Sequence, residues 1–194
     1  MKDQTLVKKV LFIAICLSIS ACLQVFQHIF IYWKPSFYSE VWRWWTAHWV
    51  HVGWIHYLLN MVAFACLPFI FPYVKTRFLV ILLLVLPPLV SLSFYYGFPD
   101  IEAYADLSGI LHGVYVAVAI YFLKFATERK FALLVLVLAC AKILWENLFG
   151  SLETSQLIGS PVLVEAHLLG SFWGAVFTIT FLLFELLRNS YKSK

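Results

Sequence analysis

The chain has 194 residues, 63% of them hydrophobic and only 12% charged, with a formal net charge of +4 and a mean hydropathy of +0.88. So little charge excludes an ordinary soluble domain, in which about a quarter of residues are charged. A bilayer-crossing helix takes about 20 apolar residues, so the chain has room for about six and for no sizeable soluble domain. The basic residues are scattered between apolar runs, which argues against a nucleic-acid surface.

Six apolar spans are predicted, over about 6–28, 54–74, 77–96, 106–124, 130–150 and 163–187. The first follows Lys2, Lys8 and Lys9 and contains Ile19-Ser20-Ala21-Cys22, which is similar to a lipoprotein cleavage site. The apolar run continues through Phe26, so an uncleaved first span is expected. Cys16, Cys22, Cys66 and Cys140 all lie in apolar runs without zinc-like spacing, so neither a disulfide framework nor a metal site is expected.

The connection over 31–53 is the longest. Trp33, Trp42, Trp44, Trp45, Trp49 and Trp54 lie in it or at its border, six of the eight tryptophans. Indoles prefer the headgroup level, where the ring is half buried and the N–H stays wet. This segment is therefore expected to lie at the outer leaflet.

Beyond it, Lys75 and Arg77 separate spans 2 and 3, Lys124, Arg129 and Lys130 separate spans 4 and 5, and Arg188, Lys192 and Lys194 follow span 6. With Lys2, Lys8 and Lys9, these eleven cations share one side of a six-span protein, and only Lys34 and Arg43 lie on the other. Positive residues stay inside, so both termini are expected in the cytoplasm.

This orientation brings the intramembrane polar residues to one depth. Spans 2, 4 and 6 enter from outside with His56 and Asn60, Ser108, and His167 in their early turns, while Lys142, Glu146 and Asn147 come late in span 5. At 1.5 Å per residue, these groups fall about 5–10 Å below the outer surface. Ionisable groups at such depth are costly and point to function.

Their chemistry suits acyl transfer. Ser108 is a nucleophile if a base takes its proton, and His167 can do so. The Ser108 N–H is free in the first turn of its helix. His56 and Asn60, at i and i+4, can join it in stabilising an oxyanion. His112, one turn beyond Ser108, is a rival base or a buried brace. Gly109 and Gly113, and Gly170 and Gly174, have the spacing that lets two membrane helices approach closely. Lys142 and Glu146, at i and i+4, form either a neutralised pair or contacts to other helices or to substrate. No carboxylate is evidently placed to orient His167, so a dyad is expected.

Together these residues resemble the rhomboid family of intramembrane serine proteases. Trp42-Arg43 is similar to its WR motif. His51, His56 and Asn60 match its H-x4-H-x3-N pattern, Leu107-Ser108-Gly109 its G-x-S-G, and Ala166-His167 with Gly170 and Gly174 its last span. Ser108-Gly109-Ile110-Leu111-His112-Gly113 and Lys142-Ile143-Leu144-Trp145-Glu146 resemble the rhombosortase branch. The resemblance implies an all-α, six-transmembrane-helix bundle over 1–194, with an interfacial Trp-rich loop between helices 1 and 2. It also implies a Ser108–His167 dyad, oxyanion donors at His56 and Asn60, and supporting or substrate-contacting roles for His51, Gly109, His112, Lys142 and Glu146. The implied substrate is an exported protein anchored in a bacterial inner membrane by a Gly-Gly motif, an apolar span and a basic tail. No cofactor, metal or nucleic acid is implied.

One position departs from the family pattern. Asp106 stands where the family has glycine, two residues before the serine. Pointed inward, a carboxylate there opposes a developing oxyanion; turned to the helix start, it caps free N–H groups. The cap is the expected arrangement. Two other readings fit the same residues less well: an inactive rhomboid-like binder of membrane helices, and a redox or metal protein using His51, His56, His112 and His167. Water is expected to enter through the connections at 97–106 and 151–162.

Overall fold

The computed structural model describes residues 2–150 and 162–192. The expected path for water over 151–162 therefore lies almost wholly outside the described residues.

Among the described residues six principal helices form, close to the six apolar runs: α1 (Lys2–Val25), α4 (Trp54–Ile70), α5 (Thr76–Gly97), α6 (Ser108–Phe122), α7 (Arg129–Phe149) and α8 (Val164–Lys192). Two short turns of helix, α2 (Gln27–Phe30) and α3 (Arg43–Thr46), lie between α1 and α4. Four helices, α1, α5, α7 and α8, are long and apolar enough to cross a membrane. The other two, α4 and α6, are apolar but shorter, with 17 and 15 residues. They therefore rise only about 25 and 22 Å.

Local sequence sets several boundaries. α4 stops at Ile70 because Pro72 disfavours helical geometry at Phe71, which leaves the helical region at φ −123°, ψ 75°. α7 ends at Gly150, whose φ of +85° is open to glycine and strained for other residues.

The shortest of these principal helices, α6, is the centre of the fold. Ten of the fifteen α6 residues are buried, against two of twenty-one in α7. α6 packs along α8 through interleaved glycines. A Cβ on Gly109 would come within 2.8 Å of the Ala166 carbonyl, and one on Gly113 within 2.5 Å of the Gly170 carbonyl. Cβ atoms on Gly170 and Gly174 would overlap the carbonyls of Gly109 and Gly113. The paired glycines thus set the backbone-to-backbone approach of the two helices.

Three polar residues of α1, Lys9, Ser20 and Gln24, are buried. The Lys9 ammonium donates to the Pro72 carbonyl, and Ser20 donates to the Trp49 carbonyl at 2.5 Å. Gln24 clamps the backbone of His51, its Oε1 accepting from the N–H at 2.7 Å and its Nε2 donating to the carbonyl at 2.8 Å.

The tryptophan-rich connection is folded rather than loose. It contains a two-residue strand, β1 (Tyr32–Trp33), which pairs antiparallel with β2 (Ala103–Tyr104) in the register Tyr32 with Tyr104 and Trp33 with Ala103. The sequence reading anticipated no strand; two residues are too few to show an alternating pattern. Arg43 donates to the Ile31 carbonyl at 2.8 Å and the His28 carbonyl at 3.3 Å, and pairs with Glu40. The Trp45 indole N–H donates to the Leu84 carbonyl on α5 at 2.8 Å. Phe37 stacks between Trp44 and Tyr95, with centroids 4.9 and 4.3 Å away. This braced loop carries the segment ahead of α6, because the Asp106 N–H donates to the Ala47 carbonyl at 3.1 Å.

Candidate active site

Ser108 opens α6 and His167 lies in the first turn of α8. The glycine seam between the helices brings the serine Oγ to 2.7 Å from Nε2 of His167. The imidazole is 3% exposed. Its face stacks on His112, with centroids 4.0 Å apart and planes at 21°. His112 directs Nδ1–H at the Ser108 carbonyl, 2.7 Å away. Of the two candidate bases, His167 has its nitrogen on the hydroxyl; His112 braces the ring from below.

On the far side of His167 lies a carboxylate, where none was evident from the sequence. Oε2 of Glu146 lies 2.7 Å from Nδ1 of His167. Its other oxygen accepts from Lys142 at 2.5 Å. The expected i, i+4 pair on α7 thus exists, and it also reaches another helix. Glu146 and Ala132 are the two buried residues of α7. The sequence offered a signal for this: a carboxylate on an otherwise lipid-facing helix has to turn toward a partner. Which helix supplies that partner depends on rotations about the helix axes, which the sequence alone did not settle.

Asp106 reaches the helix start, as expected, and also points inward, the arrangement the expected cap was set against. Its Oδ1 accepts from the Ser108 N–H at 2.9 Å. It also accepts from Asn60 Nδ2 at 3.0 Å and meets His56 Nε2 at 3.0 Å. Oδ2 accepts from the Ser108 hydroxyl. The carboxylate therefore points inward, and one oxygen gathers all three groups expected to hold an oxyanion. The sequence signal was the replaced glycine.

His51 lies behind this cluster rather than in it. Its Nε2 is 3.9 Å from Asp106, and its ring packs edge-on against His56 with centroids 5.2 Å apart. Burial pushes its imidazole down to about 4, against the opposing attraction of Asp106, so the ring is neutral near pH 7. Burial likewise lowers His48 to about 4; this ring bonds Ser91 at 3.0 Å and packs against Tyr104. Gly109 contributes through its missing side chain, against Ala166.

One cavity reaches Ser108 and a second reaches Asp106. The first, of about 470 Å³, runs between α4, α6 and α7 from Phe131 and Leu138 to Asn60, Ser108 and Lys142, and its walls are mostly apolar. The other, about 250 Å³, is lined by His56, Asp106, Val52, Tyr104, Val162 and Leu163.

A model of the Rhomboid domain matches residues 38–184, well over half of the chain. The chain belongs to the rhomboid family. Comparison with curated proteins finds no matching relative. Rhomboid proteins are generally intramembrane serine proteases, and inactive members exist. With its apolar helices, this rhomboid is an integral membrane protein.

Proposed function

We propose that this rhomboid is an active intramembrane serine protease with Ser108 as nucleophile and His167 as base. The observation that carries the reading is the 2.7 Å contact between Ser108 Oγ and His167 Nε2, beside three donors that converge on one point. Ser108 Oγ attacks the scissile carbonyl as Nε2 takes its proton. The Ser108 N–H, His56 and Asn60 hold the oxygen that becomes negative. His167 then protonates the leaving amine, leaving an acyl-enzyme. Water attacks that ester, again losing its proton to His167, and the hydroxyl of Ser108 is restored.

The apolar cavity between α4, α6 and α7 suits an apolar substrate segment arriving from the bilayer, and the smaller one, which reaches His56 and Asp106, suits water. In this reading α4 and α6 complete six crossings, and the tryptophan-rich loop lies at the outer interface. Both termini are cytoplasmic, in a bacterial inner membrane, with the site below the outer face. The short α6 is consistent with this, since it begins inside the molecule at the nucleophile.

The likeness of Ser108–Gly113 and Lys142–Glu146 to rhombosortases supports a narrower substrate class: exported proteins anchored by a Gly-Gly motif and an apolar C-terminal segment. Cleavage near the glycines would release or sort them. The test is co-expression with a secreted reporter carrying that anchor. Wild type is expected to release the reporter, and Ser108→Ala and His167→Ala to leave it anchored. Release that persists in both variants would overturn the mechanism. Equal release of a reporter with the glycines replaced would overturn the substrate class alone.

A further inference from the structure

We propose that Glu146 is a positioning residue that acts through His167, with Lys142 as its anchor, so that the catalytic group is a Ser108–His167–Glu146 relay. The inference rests on the serine protease reading above. A carboxylate accepts hydrogen bonds and donates none, so the 2.7 Å contact with Nδ1 requires the proton on that nitrogen. Nε2, facing Ser108, then carries the lone pair that a base needs. When His167 takes the serine proton, the adjacent carboxylate stabilises the cation formed. Lys142 cannot bond the Nδ1–H itself, because an ammonium has no acceptor. It holds the second oxygen of Glu146 at 2.5 Å, while its own side chain stays 36% exposed on the apolar cavity. A carboxylate that is 4% exposed requires such partners.

The test is the cleavage rate of an anchored reporter by purified full-length protein in liposomes, together with the rate at which a fluorophosphonate labels Ser108. Glu146→Gln is expected to lower kcat at least about 100-fold with KM nearly unchanged, and to slow labelling in parallel. Lys142→Met is expected to give a smaller loss in the same parameter. Full kcat in Glu146→Gln, with Ser108→Ala inactive, would overturn this role and leave the protease reading intact. Activity in Ser108→Ala would overturn the protease reading itself. A loss confined to KM or to folded yield would also overturn the proposal.

Independently, the geometry points to a self-occupied resting site, in which Asp106 fills the oxyanion position and substrate must displace it. Oδ1 takes the three donors, and Oδ2 takes the single hydroxyl proton of Ser108. His167 Nε2 lies 2.7 Å from the same hydroxyl, and one proton can serve only one of the two acceptors at a time. Asp106 therefore competes with the base for the hydroxyl. Once Asp106 swings away, the donors are free for the acyl oxygen and the hydroxyl turns to Nε2.

Asp106→Gly is expected to label with the fluorophosphonate at least about tenfold faster than wild type. Asp106→Asn, which keeps an acceptor but loses the charge, is expected to fall between them. Labelling of both variants at or below the wild-type rate, at equal folded amount, would overturn the resting-site proposal. A rate increase in Asp106→Gly beside complete loss in Ser108→Ala would support it.

Discussion

Gly170 on α8 lies against the backbone carbonyl of Gly109 on α6, so closely that a Cβ at 170 would overlap it. The obstacle is backbone, which cannot rotate aside, so a side chain has to push the helices apart. Ser108 precedes Gly109, and His167 lies three residues before Gly170, so the separation is felt at the 2.7 Å contact. Gly170→Ala is therefore expected to slow reporter cleavage by about 100-fold, the usual cost of misplacing a reacting group by about 1 Å. Cleavage rates normalised to membrane abundance check this. A variant within twofold of wild type would show that the seam tolerates the shift.

His112 and His167 separate by function. His167→Ala is expected to lower the cleavage rate by about 100- to 10,000-fold, the range for loss of a general base. His112→Phe preserves a flat ring against His167 and loses only the bond to the Ser108 carbonyl. It is expected to retain activity within about tenfold. The reverse ranking would transfer the base to His112.

The buried histidines of the connection give a pH signature in stability. His48 and His51 are held neutral by burial, both near 4, below the ordinary histidine value of 6.5. An unfolded chain takes up protons at these positions first, so their contribution is complete above about pH 6.5 and is lost as pH falls toward 4. The Tm of the detergent-solubilised protein is expected to drop across that window, and His48→Gln to flatten the drop. A Tm independent of pH from 7 to 4.5 would contradict the assignment.

Arg43 ties the tryptophan-rich connection to the end of α2. Its loss leaves the carbonyls of Ile31 and His28 without their donor and Glu40 without its partner. Arg43→Ala is expected to destabilise the fold by about 1.5–3 kcal/mol, the range for hydrogen bonds involving a charged group. It should also reduce activity, because the same loop holds the backbone of Asp106 through Ala47. Thermal unfolding beside cleavage assays would show both effects.

Helix positions were legible because long apolar runs and their breakers, Pro72 and Gly150, act locally. The meeting of Ser108 and His167 was legible as well, because the two glycine motifs lie beside the two residues and demand close approach. Contacts set by helix rotation were harder to read. The partner of Glu146 depends on which face of α7 turns inward, and 19 of its 21 residues are not buried. Asp106 was flagged as a departure from the family and assigned to the helix start. That it also gathers His56 and Asn60 depends on how far α4 stands from the chain ahead of α6, and no local pattern encodes that. The Gln24 clamp on His51 is of the same kind, a long-range bond between two residues whose sequence neighbourhoods carry no hint of each other.

The proposed activation of Ser108 by His167 is tested most directly by mapping, with mass spectrometry, the serine that a fluorophosphonate modifies in full-length protein in native membranes. A phosphonylated Ser108 is expected in wild type, with loss of that adduct in His167→Ala. An adduct on another serine, or equal modification of Ser108 in His167→Ala, would contradict it.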